Sequence, residues 1–389
     1  MTAPAILVAH PSADLYGSDL QLLETVEAFV ESGRHVVVAL PGPGPLVGEL
    51  RARGAEVLTM RFPVLRKSAL HPLRFARLLA EVLAALPRVA ALLRRLDPEF
   101  VLVNTITIPW WLAAGRAMRR PTICHVHEAE EDGAKAFRTL LALPNLLATR
   151  LIVNSRSSAR ALTDVLPVLR RRVEVVYNGV PGPPTVPAPA RERRPDDPLA
   201  LVVVGRLSPR KGIDVALEAA ARLARSGIDV TLDVYGSVFE GYEWFVDDLR
   251  DLAASADLDG RVAFHGYVNP VWPALERADV VLVPSRVEPF GNTAVEALLA
   301  RRALVASDTQ GLAEIVTAGS TGLLAVPGDA DSLAQQISTL AHDPALARRL
   351  AENGHTEALE RFGTDRYRRQ IREAVGLSPS RGEGTGGPR

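Results

Sequence analysis

Cysteine is almost absent from this sequence, because Cys124 is the only one in 389 residues. A single cysteine excludes an intrachain disulfide framework and is typical of a protein that works in a reducing cytoplasm. An excess of charge of one sign is also lacking, since 45 Lys and Arg balance 45 Asp and Glu. A formal net charge of zero argues against a nucleic-acid partner held by overall charge, although local basic patches stay open.

Long apolar runs are missing too, because no stretch of 18 or more apolar residues occurs. The start of the chain, MTAPAILVAH, has no basic residue before its short apolar run. These patterns predict a chain that is neither secreted by a signal peptide nor membrane-spanning, and we expect a cytoplasmic protein. Two nucleotide-binding signatures are lacking: a P-loop, and a GxGxxG that opens a helix after a strand. Their absence disfavours a Rossmann dehydrogenase.

What the sequence does contain is a regular alternation of short apolar runs with helical periodicity. This alternation predicts an α/β fold with parallel, doubly wound sheets. The chain is also longer than one core usually supports, so we expect two domains. The predicted strands are 6–9, 36–40, 57–60, 101–103, 122–126, 151–153 and 173–176, followed by 201–204, 230–234, 262–264, 280–283 and 304–306.

Proline density indicates where the two halves separate. Residues 181–198, PGPPTVPAPARERRPDDP, can form neither a helix nor a central strand, so this segment is predicted to be a linker. It divides an amino-terminal domain, 1–180, from a carboxyl-terminal domain, 199–364. A helix is predicted at 365–376, and the Gly-, Ser- and Pro-rich tail 377–389 is predicted to be disordered.

The stretch 280–300, VVLVPSRVEPFGNTAVEALLA, reads as a strand, a loop and a helix. In such a sheet the loop lies where ligands bind, and the amides of Gly291, Asn292 and Thr293 would point toward an anion. Glu288 and Glu296 lie on either side of these amides and could accept hydrogen bonds from hydroxyls that flank a phosphate. An alternative stays open, because Thr293 and Glu296 also have the spacing of a capping box.

A second chemical signal is GRLSPRKG, which runs from Gly205 to residue 212 where a predicted strand passes into a helix. Arg206 and Lys211 would then flank the same sheet edge as Glu288 and could hold a diphosphate. The alternative is an ordinary solvated turn with its cations in water.

These motifs, GRLSPRKG and EPFGNTAVEA, together with SDTQGLAEIVTAGSTGLLAVPGD, resemble the donor half of the family 4 retaining glycosyltransferases. The resemblance implies the GT-B fold, in which two Rossmann-like domains face a cleft and the last helix returns to the first domain. It also implies a role for each matching residue. The diphosphate is held by Arg206 and Lys211, the phosphate by the amides of Asn292 and Thr293, the sugar hydroxyls by Glu288 and the ribose diol by Glu296.

Two stretches of the amino-terminal half extend the resemblance. Tyr16, Gly17 and Ser18 resemble the family's glycine loop, although only one glycine stands there. Glycine has no Cβ and so permits close approach of donor phosphates and acceptor. The strand end His125-Val126-His127-Glu128 matches the place of a family histidine that faces the donor sugar.

The family position is assigned to His127, with His125 as a supporting residue and Glu128 on the acceptor side. Strand alternation places both histidines on one face. The HxHE order also suggests a metal, but no third ligand is identifiable by spacing.

The resemblance implies an enzyme that moves a sugar from a UDP- or GDP-sugar to the hydroxyl of a glycan, lipid-linked or small-molecule acceptor. Retention of anomeric configuration is implied, and the cations of the chain predict that neither a metal nor another cofactor is needed. Two alternatives are a nucleotide-sugar epimerase of similar fold and a non-catalytic sugar-nucleotide-binding scaffold.

One further region is strongly basic, because residues 61–95 carry eight Arg or Lys against one acid, Glu81, among many apolar residues. Such a segment is typical of a surface for anionic lipid headgroups, which would place the protein at the inner face of the cell membrane. The alternative is a pair of ordinary surface helices with arginine-rich outer faces.

Overall fold

The computed structural model describes residues 3–65, 72–128, 134–194, 197–238 and 241–377. The chain divides into two compact units, of which the first comprises 1–179 with 364–389 and the second 180–363. Each unit contains one parallel sheet with helices on both faces. The predicted α/β class with two Rossmann-like sheets is therefore confirmed.

The first unit is built on seven parallel strands in the order β3-β2-β1-β4-β5-β6-β7. Valine, leucine and isoleucine dominate these strands because both faces of the sheet are covered. The elements are β1 Ala5–Ala9, α1 Gly17–Glu31, β2 His35–Leu40, α2 Leu46–Ala52, β3 Glu56–Thr59, α3 Pro72–Leu96, β4 Phe100–Val103, α4 Trp110–Ala117, β5 Thr122–Val126, α5 Lys135–Ala142, β6 Arg150–Val153, α6 Arg156–Thr163 and β7 Val173–Val175.

The second unit has six parallel strands in the order β10-β9-β8-β11-β12-β13. Its elements are β8 Leu199–Val204, α7 Ile213–Arg225, β9 Val230–Tyr235, α8 Glu243–Ala253, β10 Val262–Gly266, α9 Trp272–Glu276, β11 Val280–Val283, α10 Asn292–Leu299, β12 Ala303–Ser307, α11 Leu312–Ile315, β13 Leu323–Ala325, α12 Ala330–His342 and α13 Pro344–Phe362. The sequence patterns did not indicate β13, which is only three residues long.

Strand order reverses once in each sheet. In the first unit the reversal lies between β1 and β4, and in the second unit between β8 and β11. Chain connections leave the sheet in opposite directions there, which opens a crevice at the carboxyl ends of the strands. Each unit therefore has one sheet edge at which a ligand site is expected.

The last helix, α14 Thr364–Val375, packs on α1 within the first unit, as the resemblance implied. Tyr367 is fully buried, and its hydroxyl lies 2.6 Å from Thr25 Oγ1. Arg368 binds the carboxylates of Glu24 and Glu31 at 2.7 and 2.8 Å. The first unit is therefore completed by residues that follow the second unit in the chain.

Residues 181–194 contain neither helix nor strand, in keeping with their prolines. The segment is nevertheless attached to the second unit, because Arg191 binds both carboxylate oxygens of Asp279, at 2.9 and 2.8 Å. The units divide between Gly179 and Val180, before the prolines begin. The interdomain linker at 181–198 stays a prediction, and residues 195 and 196 of that segment lie outside the described residues.

The basic region is partly described, because Arg66 and Lys67 lie outside the described residues. Its remainder includes α3, whose buried side packs on the sheet through residues such as Leu78 and Val89. In the part of the chain that the structure describes, no helix is long and apolar enough to cross a membrane. At the other end, Leu377 is buried in the core of the first unit, whereas it was predicted to belong to the tail. Residues 378–389 lie outside the described residues.

Candidate active site

Two loops of the second unit are bound together at its switch point. The loop after β8 contains Gly212, whose φ is +66° and where a Cβ would lie 2.0 Å from the carbonyl oxygen of Pro284. Only glycine allows that approach. The loop after β11 contains Arg286, which forms a bidentate pair with Asp214 at 2.8 and 2.7 Å. This pair and the glycine contact hold the two loops at a fixed separation.

This arrangement brings Lys211 and Glu288 into direct contact. Lys211 Nζ lies 2.5 Å from Glu288 Oε2, which also accepts a hydrogen bond from Ser285 Oγ at 3.1 Å. The backbone amide of Glu288 donates to Gln310 Oε1 at 3.0 Å, which fixes the loop from its other side. A partly exposed ammonium and carboxylate are thus held together in the crevice, where an anion could take the lysine and a hydroxyl could take the glutamate.

Helix α10 begins beside this pair, and Gly291 is its N-cap with φ +117°. A Cβ there would lie 2.5 Å from Leu312 Cδ2, so glycine is required for packing as well. The capping-box alternative was wrong, because the helix begins at Asn292 and Thr293 is already inside its first turn. The side chain of the N-cap residue makes no capping hydrogen bond, since it is a glycine.

Glu296 lies one turn into α10 and is half-buried. Burial raises the pKa of this carboxyl to about 7, and the positive charge of Lys211 offsets only part of that rise. Among the described residues none donates a hydrogen bond to this side chain. A carboxylate that is costly to ionise and has no donor is suited to accept hydrogen bonds from a ligand, such as a diol.

The other predicted residues of this unit lie in the same two loops. Gly205 directly follows β8, and its Cα packs against the aliphatic stem of Lys211, so that a Cβ would lie 3.6 Å from Lys211 Cδ. Arg206 comes next and is half-buried.

In the first unit, the predicted glycine loop is the start of α1. Tyr16 is the N-cap, Gly17 is exposed and Ser18 is half-buried. Asp19, in the first turn, accepts a hydrogen bond from the Tyr16 amide at 2.9 Å. The loop is therefore shaped by Asp19, a residue to which the sequence analysis gave no role.

Asp19 is hydrogen-bonded to a connected set of polar residues, of which the sequence analysis did not identify His10 and Asn104. His10, directly after β1, lies 2.7 Å from Asp19, and Asn104, directly after β4, lies 3.0 Å from His10. Asn104 also lies 3.1 Å from Nε2 of His127, after β5. The available signal was a polar residue immediately after each apolar strand, since parallel strands end at a common edge.

His125 and His127 lie on one face of β5, as alternation predicted, with ring centroids 4.1 Å apart. His125 is fully buried, and burial lowers its pKa to about 3. Burial also lowers the pKa of His127 far below its usual range, helped by His125 and His10. Glu128 accepts hydrogen bonds from its neighbour's amide and from Thr105 Oγ1 at 3.0 and 2.5 Å, yet burial raises its pKa.

The fold and these edges define a protein of two Rossmann-like units, one of which brings a cation, a carboxylate and the start of a helix together at its switch point. Residues 17–181 match the family model described as Glycosyltransferase Family 4, and residues 188–357 match Glycosyl transferases group 1. The two models together account for most of the chain. The chain belongs to this family of glycosyltransferases.

Relatives with assigned names match parts of the chain. Glycogen synthase of Mycobacterium tuberculosis is 34% identical over 205 residues, which are 52% of this chain and 47% of that protein. The 2-deoxystreptamine glucosyltransferase of Streptomyces kanamyceticus is 28% identical over 320 residues, which are 76% of this chain and 80% of that one. The chain thus spans about half the length of glycogen synthase.

Solved structures share the fold over nearly the whole chain. Anabaena Alr3699/HepE, in complex with UDP and glucose, superposes with a TM-score of 0.77 at 23% identity, covering 95% of this chain and 99% of that one. Sucrose-phosphate synthase from Thermosynechococcus elongatus gives 0.74 at 20% identity, covering 96% and 100%. The GT-B fold class is thereby confirmed.

Proposed function

We propose that the protein transfers a sugar from a nucleoside-diphosphate sugar to an acceptor hydroxyl. The observation that carries this proposal is the contact of Lys211 with Glu288 at the switch point of the second unit, beside the start of α10. A diphosphate needs cations and amide donors, and a sugar needs a carboxylate acceptor within the same crevice. Family membership supports the same class of reaction.

Each group has a separate task in this proposal. Breaking the bond between the anomeric carbon and the diphosphate places negative charge on the leaving group, which Lys211, Arg206 and the amides of Asn292 and Thr293 stabilise. Glu288 exchanges its bond to Lys211 for bonds to sugar hydroxyls as the diphosphate takes the lysine.

Glu296 accepts hydrogen bonds from the ribose diol. We assign His127 to the transferred sugar and Tyr16, Gly17, Ser18, His125 and Glu128 to the acceptor and phosphate side.

We further propose retention of configuration and independence from a metal ion. Arg206 and Lys211 supply the positive charge that a divalent cation would otherwise bring to the diphosphate. Two Asp-x-Asp triplets occur, at 257–259 and 329–331, and the carboxylates of the second one serve the fold. Asp329 caps α12, and Asp331 pairs with Arg222 at 2.6 Å.

The first experiment is a thermal-shift screen of the full chain against UDP-glucose, other UDP-sugars and GDP-mannose. A donor at 100 times its dissociation constant should add about 2.7 kcal/mol of stability. The stabilising donor is then offered with and without glycan, small-molecule and lipid-linked acceptors, in excess chelator. Transfer in chelator with an unchanged anomeric configuration supports the proposal. Product formed from the donor alone would indicate an epimerase, and binding without product a scaffold.

The acceptor side includes a membrane surface in this proposal. Helix α3 exposes large apolar side chains, with Leu73 and Leu83 78% and 67% exposed. They share the outer side of the helix with Arg77 and Arg88, and its only acid, Glu81, is paired with Arg77 at 2.9 Å. Exposed leucines beside arginines are typical of helices that lie in the headgroup layer of an anionic bilayer. The surface-helix alternative does not account for the leucines.

Vesicle sedimentation tests this surface with phosphatidylglycerol and phosphatidylcholine vesicles. We expect binding to the anionic vesicles that weakens at high salt, and a loss of about tenfold or more in Leu73→Ser/Leu83→Ser, because each serine removes apolar area from the bilayer. Leu359→Ser is the matched control, since that leucine is 54% exposed on α13 in the second unit. Equal binding of all three proteins would refute the membrane proposal and favour a plain surface helix.

A further inference from the structure

Four side chains of the first unit form a continuous chain of hydrogen bonds across the ends of three adjacent strands. Asp19 Oδ1 lies 2.7 Å from His10 Nε2, His10 Nδ1 lies 3.0 Å from Asn104 Nδ2, and Asn104 Oδ1 lies 3.1 Å from His127 Nε2. The strands β1, β4 and β5 are neighbours in the sheet. His10, Asn104 and His127 are the residues that directly follow these three strands. The chain crosses the switch point of the first sheet.

The direction of every bond is set from one end, by the carboxylate of Asp19. Burial raises the pKa of this carboxyl, but hydrogen bonds from His10, Ser12 and the Tyr16 amide outweigh that effect and lower it. Asp19 therefore stays ionised and only accepts hydrogen bonds. His10 therefore donates through Nε2, and its Nδ1 accepts from the amide nitrogen of Asn104, which can only donate.

Asn104 passes the same direction to His127. Its amide nitrogen donates to His10 Nδ1, so its amide oxygen faces His127 and accepts from Nε2. His127 must then carry its proton on Nε2 and leave Nδ1 as a bare acceptor. Nδ1 is buried, and within the described ranges it has no hydrogen-bond partner.

We infer that Asp19, His10 and Asn104 are positioning residues that hold His127 as the neutral Nε2–H tautomer with its ring plane fixed. The inference rests on the proposed function, because it concerns the histidine assigned to the transferred sugar. While this chain of hydrogen bonds is intact, Nε2 of His127 donates to Asn104. It therefore does not take a proton from the hydroxyl of the acceptor substrate. His127 thus acts as a fixed neutral group beside the reaction, not as a base through Nε2.

The tautomer of His127 is measured directly on the full-length protein by nuclear magnetic resonance with ¹⁵N-labelled histidine. Long-range proton–nitrogen spectra distinguish a protonated from an unprotonated ring nitrogen, and His127→Gln identifies the signals of His127 among the 8 histidines. We expect Nε2 protonated and Nδ1 unprotonated near neutral pH. A proton on Nδ1 in the wild-type protein overturns the inference.

A matched pair of variants tests transmission through the chain. His10→Leu removes both hydrogen-bonding groups at a position that does not touch His127, whereas His10→Gln can donate to Asp19 and accept from Asn104. We expect His127 to lose its single tautomer in His10→Leu and to keep it in His10→Gln. Unchanged His127 signals in His10→Leu would show that the chain does not set them. Asn104→Leu gives the same test if His10→Leu fails to fold.

Turnover gives the functional readout, with the donor identified by the thermal-shift screen. We expect kcat to fall about tenfold to 100-fold in His10→Leu, by analogy with partners that orient metal-bound histidines, and to recover in His10→Gln. KM for the donor should change less than about threefold, because His10 is fully buried. A normal kcat in a His10→Leu protein with a disturbed tautomer refutes the positioning role. An inactive wild-type protein with the expected tautomer refutes the proposed function instead.

Discussion

The two switch points share one strand topology but differ in how their polar groups are held. In the second unit, Lys211 and Glu288 lie partly exposed in loops that follow β8 and β11. In the first unit, His10 and Asn104 occupy the equivalent places after β1 and β4, and both are buried. One edge presents charge to a ligand, whereas the other keeps a mostly neutral network inside the protein.

This difference separates two kinds of contribution to transfer. Charges at a partly exposed edge act on the substrate directly, and their loss should affect the reaction more than folding. A buried polar network costs stability when it is broken, because each unpaired group has already lost its contact with water.

Lys211→Ala should have the largest effect, because it removes a cation from the proposed leaving-group site. We expect turnover to fall by about 2 to 4 kcal/mol of transition-state stabilisation, or ~30-fold to ~1,000-fold, while the free energy of unfolding changes little. Steady-state kinetics and chemical denaturation measure the two quantities. Arg210→Ala is the matched control, because it removes an exposed neighbouring cation and should leave turnover near wild type. Equal effects of both substitutions would contradict the assignment of Lys211.

Arg368→Gln should have the next largest effect, and on stability alone. The substitution leaves Glu24, which is almost fully buried, without its charged partner. We expect the free energy of unfolding to fall by about 2 kcal/mol, less than for a fully buried pair, because Arg368 is partly exposed. Urea unfolding checks this value. Arg369→Gln on the same helix is the control, and an unfolding free energy equal to that control would show that these ion pairs do not hold α14.

Glu296→Gln should change stability with a characteristic pH dependence. The raised pKa of about 7, against 4.5 for the unfolded chain, means that ionisation opposes folding as pH rises from 4.5 to 7. Glutamine removes that penalty, so the variant should be more stable than wild type above pH 7, and the gain should vanish below 4.5. Thermal unfolding across this pH range measures it.

The same substitution should weaken nucleotide binding about tenfold at high pH, since a carboxylate accepts hydrogen bonds from a diol more strongly than an amide does. Wild-type binding should strengthen as pH rises through 7, and binding to the variant should not. Isothermal titration with UDP and GDP at several pH values compares the two proteins. An identical pH profile would exclude Glu296 from the nucleotide site.

The sequence predicted the second unit in more detail than the first because its groups are close together in the chain. Lys211 and Glu288 each lie in a compact strand-loop-helix pattern, and α7 begins at Ile213, directly after the GRLSPRKG motif, as predicted. His10 and Asn104 are 94 residues apart, so only the pairing of β1 with β4 brings them together. Their contact depends on strand order, which periodicity does not specify.

Local backbone geometry accounts for the other differences. Threonine is a residue type that often caps helices, and the capping-box pattern required the helix to start after Thr293. Gly291 instead is the N-cap in a left-handed conformation, and the helix starts earlier, at Asn292. The proline-rich segment has no regular structure, as predicted, yet its arginines bind the second unit. The backbone conformation of Gly291 decided the first outcome, and side-chain partners distant in the sequence decided the second.

The central claim is that the switch point of the second unit binds a nucleoside diphosphate through Lys211. Isothermal titration of UDP and GDP into the full-length wild-type protein, Lys211→Ala and Arg210→Ala in excess chelator tests it most directly. We expect one of the two nucleotides to bind the wild-type protein and Arg210→Ala with equal affinity. The same nucleotide should bind Lys211→Ala at least about tenfold more weakly. Binding of that nucleotide to Lys211→Ala with wild-type affinity, or no binding of either nucleotide to the wild-type protein, would contradict it.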